Sequence, residues 1–423
     1  MDPDGSLLAF RRLSANLGES PWFLRMLRDS SGAAERLALA LSTSKLATAM
    51  LEIIPEAASW FESPEKLEQQ TLEELLLESD ALLSRQENID DYGKAVRAIR
   101  RRETLRIALA ELVAGSGYEK SSVGLSVISQ WYLSSLTNGA LKFLEHDAKS
   151  VGELVDVGLV AMGRFGGEEL GFGSDADLMV VYKPKGSTSG DLAQSLTEQV
   201  VSSVRIQATD PLLEFEIDLG LRPEGKNGPI ARSLSSYENY YARWGDIWEN
   251  QALLRARMFF GSNELKLEFA ELIDKYRYPE TLTESAVIEI RRIKARVENE
   301  RLPFGADPAR HLKLGRGSLS DVEWLIQLLQ LKHGKNKPAI RTARTLEALS
   351  ELVAEGLLQS QDAEVLKESW LLASRIRSAI YLWSGKRSDL LPNDRRQLEA
   401  IARLLHYPHG SASALEDLSL IHI

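Results

Sequence analysis

The spacing of apolar positions divides the chain into three parts. In the first part, apolar residues recur at steps of three and four, a period that predicts amphipathic helices over residues 24–51 and 96–112. In the middle part, short runs rich in β-branched residues and bounded by Gly or Pro predict strands over 157–161, 178–182 and 212–221, with a helix over 191–205. The helical period then returns and predicts helices over residues 285–301 and 321–332.

These patterns predict an α+β protein in which a small mixed sheet lies between two helical parts. We place a helical region at residues 1–150, the sheet domain at 151–262 and a helical bundle at 263–415. The chain begins as if cut from a longer protein. The last residues, 416–423, follow no helical pattern, and we expect a non-native or disordered tail there.

Composition narrows the class of protein. Hydrophobic residues make up 44% of the chain and charged residues 26%, which is typical of a soluble protein with a real core. The absence of cysteine excludes disulfides and thiolate chemistry and fits a cytoplasmic location. The formal net charge of −10 disfavours general nucleic-acid binding, and no apolar run approaches the length of a membrane span.

A basic run interrupts the first helical part at residues 97–103, where the sequence is Arg-Ala-Ile-Arg-Arg-Arg-Glu. A solvated helix face is the simpler interpretation of such a run. A contact with nucleotide phosphate or with another domain is the alternative.

The strongest candidate for chemistry is the segment at residues 162–178. Its glycine-rich turn, which includes Gly166 and Gly167, predicts a loop whose backbone N–H groups approach phosphate oxygens. Asp175 and Asp177 follow and open a strand, on which alternate side chains share one face. Two adjacent carboxylates repel each other unless a cation lies between them, and Mg²⁺ prefers oxygen ligands of this kind. A surface turn is the alternative interpretation of either feature alone.

The predicted third strand adds another carboxylate. Three of its acids share one face: Glu214, Glu216 and Asp218. We select Asp218 as the third residue of a two-metal site because a loop with Arg222, Lys226 and, slightly beyond, Arg232 follows at once and suits a pyrophosphate group. An edge strand with a solvated acidic face, followed by a plain surface turn, is the alternative.

Together these segments resemble the glutamine synthetase adenylyltransferase family. The family's Gly-Met-Gly-(Lys/Arg)-x-Gly-Gly-x-Glu-Leu segment corresponds to residues 161–170, its Ser-Asp-x-Asp to 174–177, and its Asp ahead of Leu-Arg-Pro-(Ser/Glu)-Gly to 218–225. Residues 244–257 and 311–323 resemble two further motifs of the family. Three residues depart from the family pattern without removing a predicted metal ligand: Ala161, Gly220 and Ser318.

The resemblance implies a polymerase-β-like nucleotidyltransferase fold and transfer of AMP from ATP to a tyrosine of glutamine synthetase, with Mg²⁺ as the cofactor. It implies metal and catalytic roles for Asp175, Asp177 and Asp218. It implies triphosphate binding by Gly166, Gly167 and Ser174. Regulation by glutamine and the PII signal protein is also implied, and the chain resembles the C-terminal, adenylylating half of the actinobacterial enzymes.

Other functions remain open. The deadenylylating activity of the same family would use the same site with phosphate as the nucleophile. A catalytically inactive regulatory module would be marked by loss of one of the three aspartates, and all three are present. A nucleotidyltransferase acting on a small molecule is open on fold grounds, since a fold does not determine a substrate.

Overall fold

A computed structural model describes residues 3–422, with side chains described over residues 4–417. The predicted α+β class is confirmed. The N-terminal part consists of helices: α1 (Pro3–Leu17), α2 (Pro21–Asp29), α3 (Ser31–Thr43), α4 (Lys45–Ile53), α5 (Leu72–Arg85), α6 (Ile89–Val113) and α7 (Tyr118–Phe143). Short 3₁₀ helices cover Pro55–Glu62 and Pro64–Leu67.

The predicted helical stretch at residues 24–51 is divided among α2, α3 and α4. Ser30 and Ser44 stand between these helices with extended backbones. Their hydroxyls accept hydrogen bonds from the backbone N–H groups of Ala33 (3.2 Å) and Ala47 (3.0 Å). Each serine therefore caps a new helix, because a serine oxygen satisfies an N–H group that the first turn leaves free.

The middle part contains the sheet. Its elements are β1 (Glu145–His146), β2 (Lys149–Ser150), α8 (Val151–Leu154), β3 (Val155–Ala161), α9 (Gly163–Gly166), β4 (Ala176–Pro184), α10 (Gly190–Ala208), β5 (Ile217–Asp218), β6 (Ala231–Ser233), α11 (Leu234–Arg243), α12 (Ile247–Leu253) and β7 (Arg257–Phe260). The strand order is β5-β4-β3-β7. β6 pairs with the same edge of β4 as β5 does, but further along the strand, at residues 180–182. β3 is antiparallel to β4 and β7, whereas β5 and β6 run parallel to β4.

Two of the predicted strands and the helix between the last two are confirmed as β3, β4 and α10. The predicted strand over 212–221 is wrong in its length, because only Ile217–Asp218 pairs with β4. The chain bends at 211–213, and the carbonyls of Leu213 and Glu214 accept hydrogen bonds from Arg100 of α6 (2.7 and 3.0 Å) instead of joining a strand ladder.

The basic run of α6 is therefore an internal contact and not a solvated face. Arg100 is buried between the rings of Tyr132 and Phe215, and Arg101 makes a two-pronged ion pair with the buried Asp210 (2.7 Å for both hydrogen bonds). The run contacts another part of the same chain, the segment at residues 210–214. These arginines hold the segment that leads into β5.

The sheet is buried on both faces because alternate residues of β4 enter different cores. Leu178, Val180 and Tyr182 pack with the N-terminal helices and α10. Met179 and Val181 pack on the opposite face with α11 and the following helix, α13 (Asn263–Arg277). One core thus continues from the N-terminal helices into the sheet.

The C-terminal part is helical, as predicted. After α13 it contains α14 (Glu284–Glu300), α15 (Leu319–His333), α16 (Thr345–Ala354), α17 (Ser360–Ser384), α18 (Arg395–Leu404) and α19 (Ala412–His422), with 3₁₀ turns at Gly225–Asn227 in the sheet region and at Pro308–Arg310 and Pro338–Ile340. A separate core joins α15 to α19.

The expected tail at 416–423 falls largely on α19, so a helix continues there although the sequence shows no helical pattern. Ile423 lies outside the described residues, and whether the last residues are native stays a prediction. No described helix is both long and apolar enough to cross a membrane.

Candidate active site

Three carboxylates meet where β4 and β5 begin to pair. Asp175 precedes β4, Asp177 is its second residue, and Asp218 is the Cα partner of Asp177 across the parallel pair. One carboxylate oxygen from each lies within 4.8 Å of the others. The structure therefore brings together all three residues that the sequence proposed as metal ligands. Alternation along β4 places Asp177 on the same side as Met179 while Ala176 and Leu178 enter the N-terminal core.

The electrostatics of this cluster favour a cation. Burial, and then the charges of Asp175 and Asp218, raise the pKa of Asp177 to about 7, while Lys313 and Arg255 partly oppose the increase. A carboxylate with this pKa is costly to ionise unless a positive charge joins it. Carboxylate oxygens at this spacing fit a hard divalent cation such as Mg²⁺.

The backbone after Asp218 helps to orient that side chain. The N–H of Gly220 donates a hydrogen bond to Oδ1 of Asp218 (2.7 Å), and a Cβ at Gly220 would lie 2.9 Å from the same oxygen. The departure from the family pattern at Gly220 therefore leaves room for the carboxylate of Asp218 in this orientation. Glu216, the competing acid, pairs instead with Arg387 (2.8 Å).

The two glycines expected to bind phosphate are packed inside the protein. The N–H groups of Gly166 and Gly167 donate within the short helix α9, to Met162 and Gly163. A Cβ at Gly166 would collide with the carbonyl of Arg255, and one at Gly167 with its guanidinium. Glycine is required at both positions for close packing. That these two residues bind phosphate stays a prediction.

The second half of the glycine-rich segment, in contrast, lines a pocket. Gly173 has φ of 74° and lies under the ring of Tyr381, where a Cβ would collide. The hydroxyl of Ser174 accepts a hydrogen bond from the N–H of Gly171 (3.0 Å) and so closes the turn ahead of Asp175. Of the three residues of this segment that were predicted to bind triphosphate, Ser174 lines the pocket.

The loop after β5 lies outside the lining of the pocket beside Asp175, and its phosphate contacts stay a prediction. Arg222 is buried and donates to the carbonyls of Leu219 (2.7 Å) and Gly228 (3.1 Å), so it holds the loop together. Arg232 pairs with Glu224 and lies over the ring of Tyr240. Lys226 is exposed and, with these arginines, is absent from the residues that line the pocket beside Asp175.

Three of the four cations at that pocket come from the C-terminal helical part, and the fourth is Arg164 of the glycine-rich segment. The pocket has a volume of about 240 Å³, and its far wall includes Lys313, Arg377 and Arg387. Lys313 lies in the segment 311–323, which resembles a family motif. The sequence therefore singled out this loop but did not predict a role for Lys313. No sequence pattern predicted a role for Arg377 or Arg387, because their approach to Asp175 depends on how α17 packs.

Two known protein families match different parts of the chain. Residues 34–272 match the family described as glutamate-ammonia ligase adenylyltransferase. The chain belongs to the glutamate-ammonia ligase adenylyltransferase family. Residues 290–419 match a second family, described as PII-uridylyltransferase, over the C-terminal helical part.

Relatives of this adenylyltransferase family member come from actinobacteria. The chain is 50% identical over 416 residues to the bifunctional glutamine synthetase adenylyltransferase/adenylyl-removing enzyme of Leifsonia xyli, covering 98% of this chain and 41% of the relative. It is 44% identical to the Streptomyces avermitilis enzyme of the same name (98% and 43% coverage) and 39% identical to that of Cutibacterium acnes (99% and 42%). The chain thus spans about two-fifths of the length of these curated relatives.

In this member of the adenylyltransferase family, a buried ionic network ties the glycine turn to the C-terminal helices. Arg255 pairs with Glu169 and donates to the hydroxyl of Thr345 (2.9 Å). Burial raises the pKa of the Glu323 carboxyl. The neighbouring guanidiniums of Arg255 and Arg164 nevertheless hold this pKa below its ordinary value. The network ties α15, α16 and α17 to the glycine turn that precedes the three-carboxylate cluster.

Proposed function

We propose that this site transfers AMP from ATP to a tyrosine hydroxyl of glutamine synthetase. The observation that carries the proposal is the cluster of Asp175, Asp177 and Asp218 at the end of a glycine-rich turn. The family and the names of the relatives support this choice of substrate. The choice of the adding over the removing reaction rests on the resemblance of residues 171–177, 289–296 and 300–308 to the C-terminal half of the actinobacterial enzymes.

Mg²⁺ is the proposed cofactor, held by the three aspartates. When bound, it would neutralise the triphosphate and make the α-phosphorus easier to attack. The raised pKa of Asp177 supports this assignment, since a cation removes the repulsion that raises it. Ser174 and the cationic wall of the neighbouring pocket keep the triphosphate beside the cluster.

The reaction is an in-line displacement. The tyrosine oxygen attacks the α-phosphorus, the bond from that phosphorus to the bridging oxygen breaks, and pyrophosphate leaves. Asp218 accepts the tyrosine proton, because its carboxylate is held at the edge of the sheet by the N–H of Gly220. Positioning and charge neutralisation account for most of the catalysis in phosphoryl-type transfers. Regulation by glutamine and the PII signal protein stays a prediction from the resemblance.

The test is incubation of the chain with α-labelled ATP, Mg²⁺ and unmodified glutamine synthetase. We expect label on the synthetase with the wild-type chain and none with Asp175→Asn or Asp177→Asn. Asp362→Asn, at an exposed acid at the start of α17, is the matched control and should label normally. A folded wild-type chain that transfers no label would contradict the proposal.

A second arm separates the adding from the removing activity. Adenylylated glutamine synthetase is incubated with the chain and inorganic phosphate, and release of ADP is followed. The proposal expects labelling in the first arm and little ADP in the second. The reverse result would assign the chain to the deadenylylating reaction.

A further inference from the structure

The pocket beside the metal site has more positive than negative side chains. Its volume is about 240 Å³, and the Gly171–Asp175 turn forms one side while the loop before α15, helix α17 and the loop after it form the other. Its charged lining residues are Arg164, Lys313, Arg377, Arg387, Asp175 and Asp389.

Ion pairs within the lining leave two cations with spare capacity. Arg377 donates to Asp389 (2.6 Å), and Arg387 pairs with Glu216 outside the pocket (2.8 Å). Asp175 belongs to the metal cluster. Among the described residues, Lys313 has neither an ion pair nor a side-chain hydrogen bond, and Arg164 reaches its acid, Glu323, only at 3.7 Å.

The loop that carries Lys313 is held in place although its ammonium group is unpaired. The ring Nδ1 of His311 accepts from the N–H of Lys313 (3.3 Å), and the hydroxyls of Ser318 and Ser320 both donate to the carbonyl of Lys313 (2.7 and 2.5 Å). Both backbone polar groups of this residue are therefore fixed. A loop that is already ordered loses little backbone freedom when its side chain binds an anion.

Two buried polar groups of the pocket lack partners. The Oγ of Ser378, a residue that is 1% exposed, has no hydrogen-bond partner among the described residues, and neither has Nη1 of Arg164. The rest of the Arg164 guanidinium is engaged, with hydrogen bonds to the hydroxyl of Tyr118 (2.6 Å) and the carbonyl of Glu169 (3.0 Å). Buried polar groups are normally satisfied, so two orphans beside one cavity point to a ligand that completes them.

We propose that this pocket binds the pyrophosphate portion of a nucleoside triphosphate through Lys313, Arg164 and the hydroxyl of Ser378. Lys313 of the C-terminal helical part and Arg164 of the glycine-rich segment, and not the loop after β5, then supply the cationic contacts. The proposal rests on the proposed function in taking the three aspartates as the metal site, and it extends that function by naming the residues that hold the leaving group.

The experiment measures binding without glutamine synthetase, so its result is independent of label transfer. Dissociation constants of ATP, pyrophosphate and AMP, each with Mg²⁺, and of inorganic phosphate are determined by calorimetry for the wild-type chain and its variants. Lys313→Ala should weaken ATP and pyrophosphate by about tenfold or more and leave AMP within about twofold, because one charge-assisted contact is lost. Lys313→Arg should restore most of the affinity. Lys332→Ala, at an exposed lysine of α15, should match wild type.

Ser378→Ala provides a readout that a structural role would not give. A buried hydroxyl without a partner destabilises the free protein, so its removal should leave the melting temperature unchanged or higher. Affinity for ATP and pyrophosphate should nevertheless fall by about threefold or more.

Three results would overturn the proposal. One is an equal loss of AMP and ATP affinity in Lys313→Ala, which would indicate general damage to the site. Another is unchanged ATP affinity in both Lys313→Ala and Ser378→Ala. The third is loss of inorganic phosphate binding in Lys313→Ala with ATP affinity intact, which would make the pocket a site for a free phosphate.

Discussion

Gly163 lies directly against the carboxylate of Asp177, and a Cβ at Gly163 would collide with Oδ2 of that side chain. Gly163 also has φ of 50°, in the left-handed region that favours glycine, and its carbonyl accepts a hydrogen bond from Nε of Arg255 (2.8 Å). The first residue of the glycine turn thus determines the space available to the central carboxylate of the cluster.

Replacement of Gly163 should therefore impair the metal site. We expect Gly163→Ala to lower label transfer by about tenfold or more and to raise the Mg²⁺ concentration that gives half-maximal rate, because Asp177 must turn away from its partners. A Mg²⁺ titration of the labelling rate measures this. Gly190→Ala, at a glycine whose Cβ would meet nothing within 4 Å, is the control. An unaltered Mg²⁺ dependence in Gly163→Ala would show that the close approach has no functional role.

The raised pKa of Asp177 has a consequence for stability. Its pKa is about 7 in the folded protein, above the value of about 3.9 in an unfolded chain, so the metal-free protein loses stability as pH rises between these values and the loss is complete above pH 7. Asp177→Asn removes this loss. In EDTA the variant should be more stable than wild type by about 2–4 kcal/mol at pH 8, and by less at pH 5.

Urea denaturation at the two pH values measures the difference, and added Mg²⁺ should stabilise the wild type but not Asp177→Asn. A variant that is less stable than wild type at pH 8 without metal would refute the electrostatic account of this cluster.

Arg100 should matter for both stability and metal binding, since it holds the segment that leads to Asp218. Arg100→Met leaves two carbonyls without donors and should lower the free energy of unfolding by about 2–4 kcal/mol. The apparent Mg²⁺ affinity should also fall, and Arg100→Lys should recover part of both losses. Arg85→Met, at an exposed arginine of α5, should change stability by no more than about 0.5 kcal/mol. Full Mg²⁺ affinity in a folded Arg100→Met variant would separate this arginine from the metal site.

The buried pair of Arg255 and Glu169 should be essential to the fold. Glu169→Gln removes the hydrogen-bonded counter-charge of the buried Arg255 guanidinium and leaves only the neighbouring Glu323, at a cost of about 3–5 kcal/mol. Equilibrium unfolding in urea measures this cost, with Glu73→Gln at an exposed position of α5 as the control. A cost similar to that of the control would mean that water or another group compensates for the missing charge.

Local patterns were sufficient for the helical character of the first and last parts of the chain and for the two central strands. The apolar run at residues 178–182 predicts the strand. The shared face of Asp175 and Asp177 follows because side-chain direction in a strand has a period of two. The same rule failed at residues 212–216, where Arg100, more than a hundred positions earlier, takes the carbonyls that a strand would use. A local pattern contains no information about such a distant donor.

Sequence patterns likewise predicted one part of the candidate site, the carboxylates, and missed the other part, the cations. The three aspartates were predictable because their spacing and the family motifs mark them. The cations were assigned by proximity in sequence to Arg222 and Arg232, which the structure uses to hold the loop and to pair with Glu224. Lys313 and Arg377 reach the pocket only through packing of the C-terminal helices, which sequence spacing does not reveal.

The origin of the pocket in distant parts of the chain has a consequence for synthesis on the ribosome. The carboxylates are all present once Asp218 has emerged, yet the opposite wall needs Lys313 and Arg377, translated later. Contacts between such separated segments form late, because a long loop must close first. A nascent chain that ends after β7 would carry the acids without the wall that faces them. We therefore expect it to retain a nucleotide only weakly until the C-terminal helices have docked.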